Sequence, residues 1–317
     1  MPAHRIIIDC DPGQDDAIAI LLALASPDEI ETLALTAVAG NVPLALTQRN
    51  ARQLVELAGN STVPVHAGCT RPLSRVLETA EYVHGETGLN GVSLPEPARP
   101  LASAHAVDAI VDLVMQAPQA SVTLCALAPL TNVAMAMLKE PGLAQHLKEI
   151  VLMGGAIGLG NVTPAAEFNI YVDPEAASVV FGSGVPLTMV GLDVTHQVLV
   201  TPERLERFKA LGGPLGEAAH GMLAFFNRFD IARYQAAGAP LHDPCVIGYL
   251  LRPDLFRGRA CKVEIETEGR SAGRTNVHWW PRRPQEPNAN VIGEVDAAGL
   301  FELLFERLAR LPTAQAH

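Results

Sequence analysis

The 317-residue sequence predicts an α/β protein: an open, mostly parallel central sheet flanked by helices, with a small late β-hairpin and helical insertions. Three observations carry this. Over the first two hundred residues, short apolar runs alternate with longer helical patterns, as right-handed βαβ units require. Hydrophobic residues make up 49% of the chain and aromatics only 5%, so a large core must be built from Ala, Val, Ile and Leu. Polar and acidic residues cluster directly after the apolar runs, at the sheet edge where parallel folds bind ligands.

In order, Arg5–Cys10 reads as a buried strand, and Asp15–Ala25 as a helix with acids in its first turn, where the dipole favours them. Glu31–Val38 reads as a strand, Leu44–Ala58 as a helix ended by Gly59-Asn60, and Val63–Ala67 as a strand. Ala104–Gln116, Leu130–Lys139 and Asp173–Phe181 read as helices; they alternate with strands at Ser121–Leu127, Glu149–Met153 and Leu187–Gly191. Pro202–Leu211, Leu215–Ala236 and His242–Leu250 are the helical insertions. Lys262–Glu268 and Arg274–Trp280 form the expected hairpin, turned at Gly269–Gly273; the strand Asn290–Val295 and the amphipathic helix Ala297–Leu311 close the chain. Two long irregular stretches, Gly68–Ala102 and Gly154–Val172, read as functional loops. With no internal repeat or linker, residues 1–317 read as a single domain.

The net charge of −11 argues against a nucleic-acid surface, which needs clustered Lys and Arg. Five cysteines with no CxxC pair point away from a structural zinc site or a disulfide framework and toward a reducing cytoplasm. The apolar stretch Ala17–Ala25 is too short to span a bilayer, so a membrane role is not expected. No GxGxxG follows the first strand and no GxxxxGK[ST] occurs, which removes nucleotide-cofactor and P-loop readings.

The sharpest signal is the turn Asp9-Cys10-Asp11-Pro12-Gly13-Gln14-Asp15-Asp16. Four carboxylates within eight residues repel one another unless a cation or protons neutralise them. Helix capping explains one or two of them but hardly all four. Neighbours on a helix diverge by about 100°, so Asp15 and Asp16 are expected to serve different partners, one a metal and one a ligand. The loop is no EF-hand, because Ile20 stands where the bidentate Glu belongs. His242-Asp243-Pro244 is the second element: an acid to complete a cation site beside an imidazole able to give a proton, or simply an N-cap with Pro in the first turn. His84 lies in the first long loop and His196 after a strand end; His4, His66, His105, His146, His220, His278 and His317 have no partner pattern and read as surface or structural.

The opening Ile8–Ala17 segment resembles the aspartate signature of the inosine–uridine-preferring nucleoside hydrolases, calcium-dependent enzymes that cleave the N-glycosidic bond of ribonucleosides. Further blocks resemble the same family, in family order: Val38-Ala39-Gly40-Asn41, His84-Gly85, Pro129-Leu130-Thr131-Asn132, Met153-Gly154-Gly155, Glu167-Phe168-Asn169 and Ala239 through Pro244. The resemblance reaches to about Ala298. It implies Ca²⁺ held by Asp11, Asp16 and Asp243 and by the Leu127 carbonyl, with Asp11 also the general base for the calcium-bound water. It implies ribose contacts from Asp15, Asn41, Asn161, Glu167 and Asn169, with Met153 against the sugar. His242 would protonate the departing base, and His84 and Phe168 would line the nucleobase side. A homo-oligomer, dimer or tetramer, is expected on the same ground. The chain departs from the family at Leu127-Ala128, where many members have Thr-Gly, and in the segment Thr275–Pro287, whose Trp279-Trp280 and Arg282-Arg283 read as pocket rim or subunit contact. Base-contacting residues near Phe225–Tyr234 leave nucleobase preference open. Two other readings compete: an aspartate-nucleophile phosphatase using Asp9 and Asp11, and a non-catalytic calcium-dependent ribonucleoside sensor.

Overall fold

The computed structural model describes residues 4–59, 62–283 and 285–312, with the side chains of Asp230 and Tyr234 left aside. His317 and the Asn60 end of the second helix therefore lie outside the described residues. Twelve strands are found among them: β1 (His4–Cys10), β2 (Ile30–Ala37), β3 (Val65–Ala67), β4 (Val122–Ala126), β5 (Glu149–Met153), β6 (Leu187–Val190), β7 (Leu199–Val200), β8 (Ala239–Pro240), β9 (Phe256–Cys261), β10 (Val263–Ile265), β11 (Thr275–Val277) and β12 (Ala289–Val295). Eight form one sheet in the order β3-β2-β1-β4-β5-β6-β12-β9. All neighbours are parallel except the β12–β9 pair at the edge. The expected hairpin is β10–β11, antiparallel with Val263 opposite Val277.

The central strands are buried on both faces, so they carry continuous apolar runs rather than an alternating pattern. Ile6, Ile7 and Ile8 are all fully buried; Ile6 and Ile8 join the core on one side, with the helix Gln14–Leu24, and Ile7 joins the other, with Ile110 and Leu124. Every residue of Gln14–Leu24 is buried, as expected of a helix that is apolar nearly all round. Gly13 caps it, and Asp16 three residues later accepts from the Gly13 N–H at 3.0 Å.

Strand order reverses between β1 and β4: the chain winds outward through β2 and β3 on one side, and through β5 and β6 on the other. Loops leaving β1 and β4 separate there, and the crevice between them is where ligands bind in such sheets. The expected elements are present with ends moved by a few residues, and several features differ: short helices at Glu81–His84, inside the stretch Gly68–Ala102, at Leu143–His146 and at Leu192–Thr195, and the small pair β7–β8, were not expected. The strand β9, sequence Phe-Arg-Gly-Arg-Ala-Cys, pairs with β12 where none was expected. The stretch Gly154–Val172 is not wholly irregular, since Phe168–Val172 is a short helix. Trp279 and Trp280 pack on the Arg259 guanidinium of β9 at 4.7 and 4.3 Å and do not line the main pocket. Among the described residues, no helix is long and apolar enough to cross a membrane.

Candidate active site

A cavity of about 680 Å³, open to solvent, lies at the carboxyl ends of β1, β4 and β5. Of the residues singled out from sequence, Asp15, Asn41, His84, Leu127, Met153, Asn161, Glu167, Phe168, Asn169, His242 and Asp243 all line it. Asp11 and Asp16 do not; they lie fully buried beneath its floor, at 0% and 1% exposure.

Asp15, Asp16 and Asp243 each offer a carboxylate oxygen within 4.8 Å of the others. The neighbouring acids of the first turn thus converge rather than diverge, although only Asp15 reaches the pocket wall. Asp243 makes no side-chain capping bond to its helix Pro244–Leu251, which removes the simple N-cap reading; its carboxyl instead contacts that of Asp16. Asp11 Oδ2 accepts from the Asn41 N–H at 2.6 Å, while Asp11 Oδ1 is buried with no hydrogen-bond partner. The Asp11 carboxylate is packed so closely on Gly40 that a Cβ there would meet Oδ2 at 2.0 Å, which fixes its rotamer.

Burial pushes the Asp11, Asp16 and Asp243 carboxyls well above the usual carboxylate range, and repulsion from neighbouring acids adds to it, from Asp15 on Asp16 and Asp243 and from Asp16 on Asp11. An arrangement this costly fits a bound cation, which supplies the missing charge and a partner for the orphaned oxygen. The backbone carbonyl of Leu127 is at hand: it accepts from Asn169 Nδ2 at 2.9 Å, and a carbonyl has a second lone pair.

Asp9 does not belong to this cluster. Its carboxylate accepts from Thr36 Oγ1 at 2.6 Å and Asn132 Nδ2 at 2.8 Å, and burial lifts its pKa to about 7. The four-acid turn is therefore one buried structural acid plus three site acids. Asn132 and Thr131 also turn inward, to Asp9 and to Asp173, rather than to a ligand. With Asp9 sealed away from the pocket, the phosphatase reading loses its nucleophile.

Two amides of the pocket are polarised in one sense, whereas Asn161 accepts from Phe168 N at 3.0 Å and keeps its side-chain nitrogen. Asn41 Nδ2 is spent on the Asp11 carbonyl and on Asp16, and Asn169 Nδ2 on the carbonyls of Leu127 and Met153. Each therefore keeps its side-chain oxygen for a ligand. Together with the carboxylates they make a wall of acceptors, suited to a polyol whose hydroxyls donate. Glu167 has a second duty: it caps Phe168–Val172 through Asn169 N and Ile170 N and holds Gly155 N at 2.9 Å. Burial raises its pKa to about 7.

The other wall is aromatic. His84 stacks on Phe226, with ring centroids 5.6 Å apart, and Phe226 meets His242 edge-on at 6.5 Å. Phe226, Phe229 and Arg233 share one face of the helix Gly213–Tyr234, and all three line the pocket with Tyr82. In the sequence, base-contacting residues fall near Phe225–Tyr234 with no choice among them; the i, i+3, i+7 spacing of Phe226, Phe229 and Arg233 is the signal that singles them out. His242 Nδ1 lies 2.7 Å from Thr195 Oγ1, a contact not foreseen, and its ring faces His196 at 5.7 Å. Among the remaining histidines, His105 caps its helix through Val107 N, and His66 bonds the Ala104 carbonyl, as structural residues do.

A sequence model of the inosine-uridine preferring nucleoside hydrolases matches residues 6–302. The chain belongs to this family. It is thus a nucleoside hydrolase, an enzyme of the glycosidase class that hydrolyses the N-glycosidic bond of ribonucleosides. Among its relatives, the pyrimidine-specific ribonucleoside hydrolase RihA of Citrobacter koseri is 46% identical over 97% of this chain and 98% of its own. Its namesake from Salmonella arizonae is 47% identical over 96% and 98%. Of solved structures, the purine-preferring ribonucleoside hydrolase from Gardnerella vaginalis superposes with TM-score 0.91 at 31% identity, over 97% of this chain and 98% of its own. A plant nucleoside hydrolase superposes with TM-score 0.90 at 35% identity, over 99% and 100%. Neither the phosphatase nor the sensor reading is favoured against this set.

Proposed function

We propose that this nucleoside hydrolase acts on pyrimidine ribonucleosides, uses Ca²⁺, and divides the chemistry between Asp11 and His242. The observation that carries the site assignment is the convergence of Asp15, Asp16 and Asp243, which leaves Asp11 outside the group but within its repulsion and with an orphaned oxygen, under a wall of acceptors. Asp11, Asp16, Asp243 and the Leu127 carbonyl would hold the ion. When bound, the cation would offset the clustered negative charge and make an adjacent water easier to deprotonate.

The chain's own groups do the rest. The Asp11 carboxylate would take the water's proton. Asp15, Asn41, Glu167 and Asn169 accept from ribose hydroxyls, Asn161 offers its side-chain nitrogen, and Met153 packs on the sugar. Positive charge develops on the ribose as the glycosidic bond breaks, and the carboxylate-rich floor favours it. His242 gives its proton to the leaving base. The Thr195 hydroxyl, 2.7 Å from Nδ1, is consistent with that role: it orients the ring and, able to donate or accept, permits a proton on Nε2. His84 and Phe168 take the base side.

The pyrimidine preference is supported by the relatives at 46–47% identity that carry that name. Five unpaired cysteines support a cytoplasmic setting. Two measurements test the reading. Chelation of calcium is expected to abolish base release from uridine, with recovery on adding Ca²⁺; full activity in chelator contradicts it. Values of kcat/KM for uridine and cytidine are expected to exceed that for inosine by about tenfold or more, within what pocket contacts supply; the reverse order overturns the preference alone.

A further inference from the structure

Gln14 sits in the first turn of its helix, between the acids of the metal site, and is fully buried. Its Nε2 donates to the carbonyls of His84 at 3.0 Å and Asn90 at 3.1 Å. A primary amide nitrogen has two hydrogens, and both partners are carbonyls that can only accept, so the orientation of the amide is fixed. Its other atom, Oε1, lies 2.7 Å from His84 Nδ1. Oε1 cannot donate. The proton in that bond therefore sits on Nδ1 of His84.

Burial keeps the His84 ring uncharged, with its pKa lowered to about 3. A neutral imidazole that carries its proton on Nδ1 has a bare lone pair on Nε2. The ring lines the pocket, held against Phe226. His84 is therefore poised oppositely to His242, whose hydroxyl partner can donate or accept and so permits a proton on the outward nitrogen.

We propose that Gln14 is a positioning residue that locks His84 as a hydrogen-bond acceptor, so that the pocket selects nucleobases presenting an N–H donor to it, such as the N3–H of uracil. The proposal rests on the reading of the cavity as a nucleoside site and adds the polarity of its base side. A base turning a carbonyl oxygen toward Nε2 would set two acceptors against each other in a poorly solvated place, which is costly.

Two experiments on the calcium-loaded enzyme decide it. In ¹⁵N spectra of histidine-labelled protein, with the His84 signals assigned by their loss in His84→Gln, the ring is expected in the Nδ1–H form. Gln14→Leu, which removes the acceptor, is expected to release the ring toward Nε2–H. In competition against p-nitrophenyl riboside hydrolysis, 3-methyluridine is expected to inhibit at least about tenfold more weakly than uridine. His84→Ala, which removes the acceptor and opens space for the methyl group, is expected to erase that difference. An Nε2–H or doubly protonated ring in the unaltered enzyme, equal inhibition by the two nucleosides, or discrimination that survives in His84→Ala overturns the proposal. Turnover of p-nitrophenyl riboside and its loss on chelation report on the site itself, so the two readings fail separately.

Discussion

Asp11→Ala is expected to abolish release of base from uridine and inosine, a loss of at least about 10²–10⁴-fold in kcat, the range for a positioned acid or base. Asp11 is the site acid with an oxygen that no protein group satisfies, and backbone fixes its rotamer: the Asn41 N–H holds Oδ2, and Gly40 packs against it. Asp9 Oδ2 is unpaired as well, so it is the closeness of Asp11 to Asp16 and Asp15, with its rotamer held, that marks it as prepared for a ligand. Asp11→Asn separates the roles, since it keeps the shape and the contact with Asn41 but cannot take a proton. It too is expected to lose at least about 10²-fold, while melting no lower than the parent, because a repelled buried charge is gone. Steady-state rates with a thermal melt of each variant check this. An Asp11→Asn enzyme within tenfold of the parent removes Asp11 as the base.

His242→Ala is expected to lose about 10²–10⁴-fold on uridine yet stay near parental rates on p-nitrophenyl riboside. The reason is leaving-group chemistry. A nucleobase departs poorly as an anion and needs a proton, whereas p-nitrophenolate departs without one. The structure gives His242 a fixed orientation from Thr195 at 2.7 Å and a position between the acceptor floor and the aromatic wall, while burial pushes its pKa well below the usual histidine value, so its charged form depends on the acids around it. Equal losses on both substrates would show that His242 only shapes the pocket.

How much of this was legible in the sequence depends on the range over which each signal acts. The strand Glu149–Met153 and its neighbours stand out because a doubly covered parallel sheet writes itself as unbroken apolar runs. The edge strand β9 left no such mark: Arg257, Gly258, Arg259 and Ala260 are all exposed, so neither an apolar run nor an alternation remains to read. The helix Phe168–Val172 is only five residues and stands on the Glu167 cap, too short for a period to show.

The candidate site acids Asp11, Asp15 and Asp16 are legible as a cluster because they crowd one turn, but nothing local sets Asp9 apart from them. Asp9 differs from Asp11 only in what meets it across the sheet, Thr36 on β2 and Asn132 beyond β4, and neither is near in sequence. Thr195 and Gln14 were likewise unreadable as partners of His242 and His84, since those contacts span 47 and 70 residues. The aromatic wall has a local signal in the spacing of Phe226, Phe229 and Arg233, but the stacking of Phe226 on His84 joins residues far apart in the chain.

Calcium titration calorimetry of the parent, Asp243→Asn and Asp9→Asn tests the central claim most directly: that distant acids converge on one divalent ion. One equivalent is expected to bind the parent and Asp9→Asn alike, and Asp243→Asn is expected to bind at least about tenfold more weakly, as the loss of one charged ligand implies. Undiminished binding by Asp243→Asn, or no binding by the parent, would contradict the account.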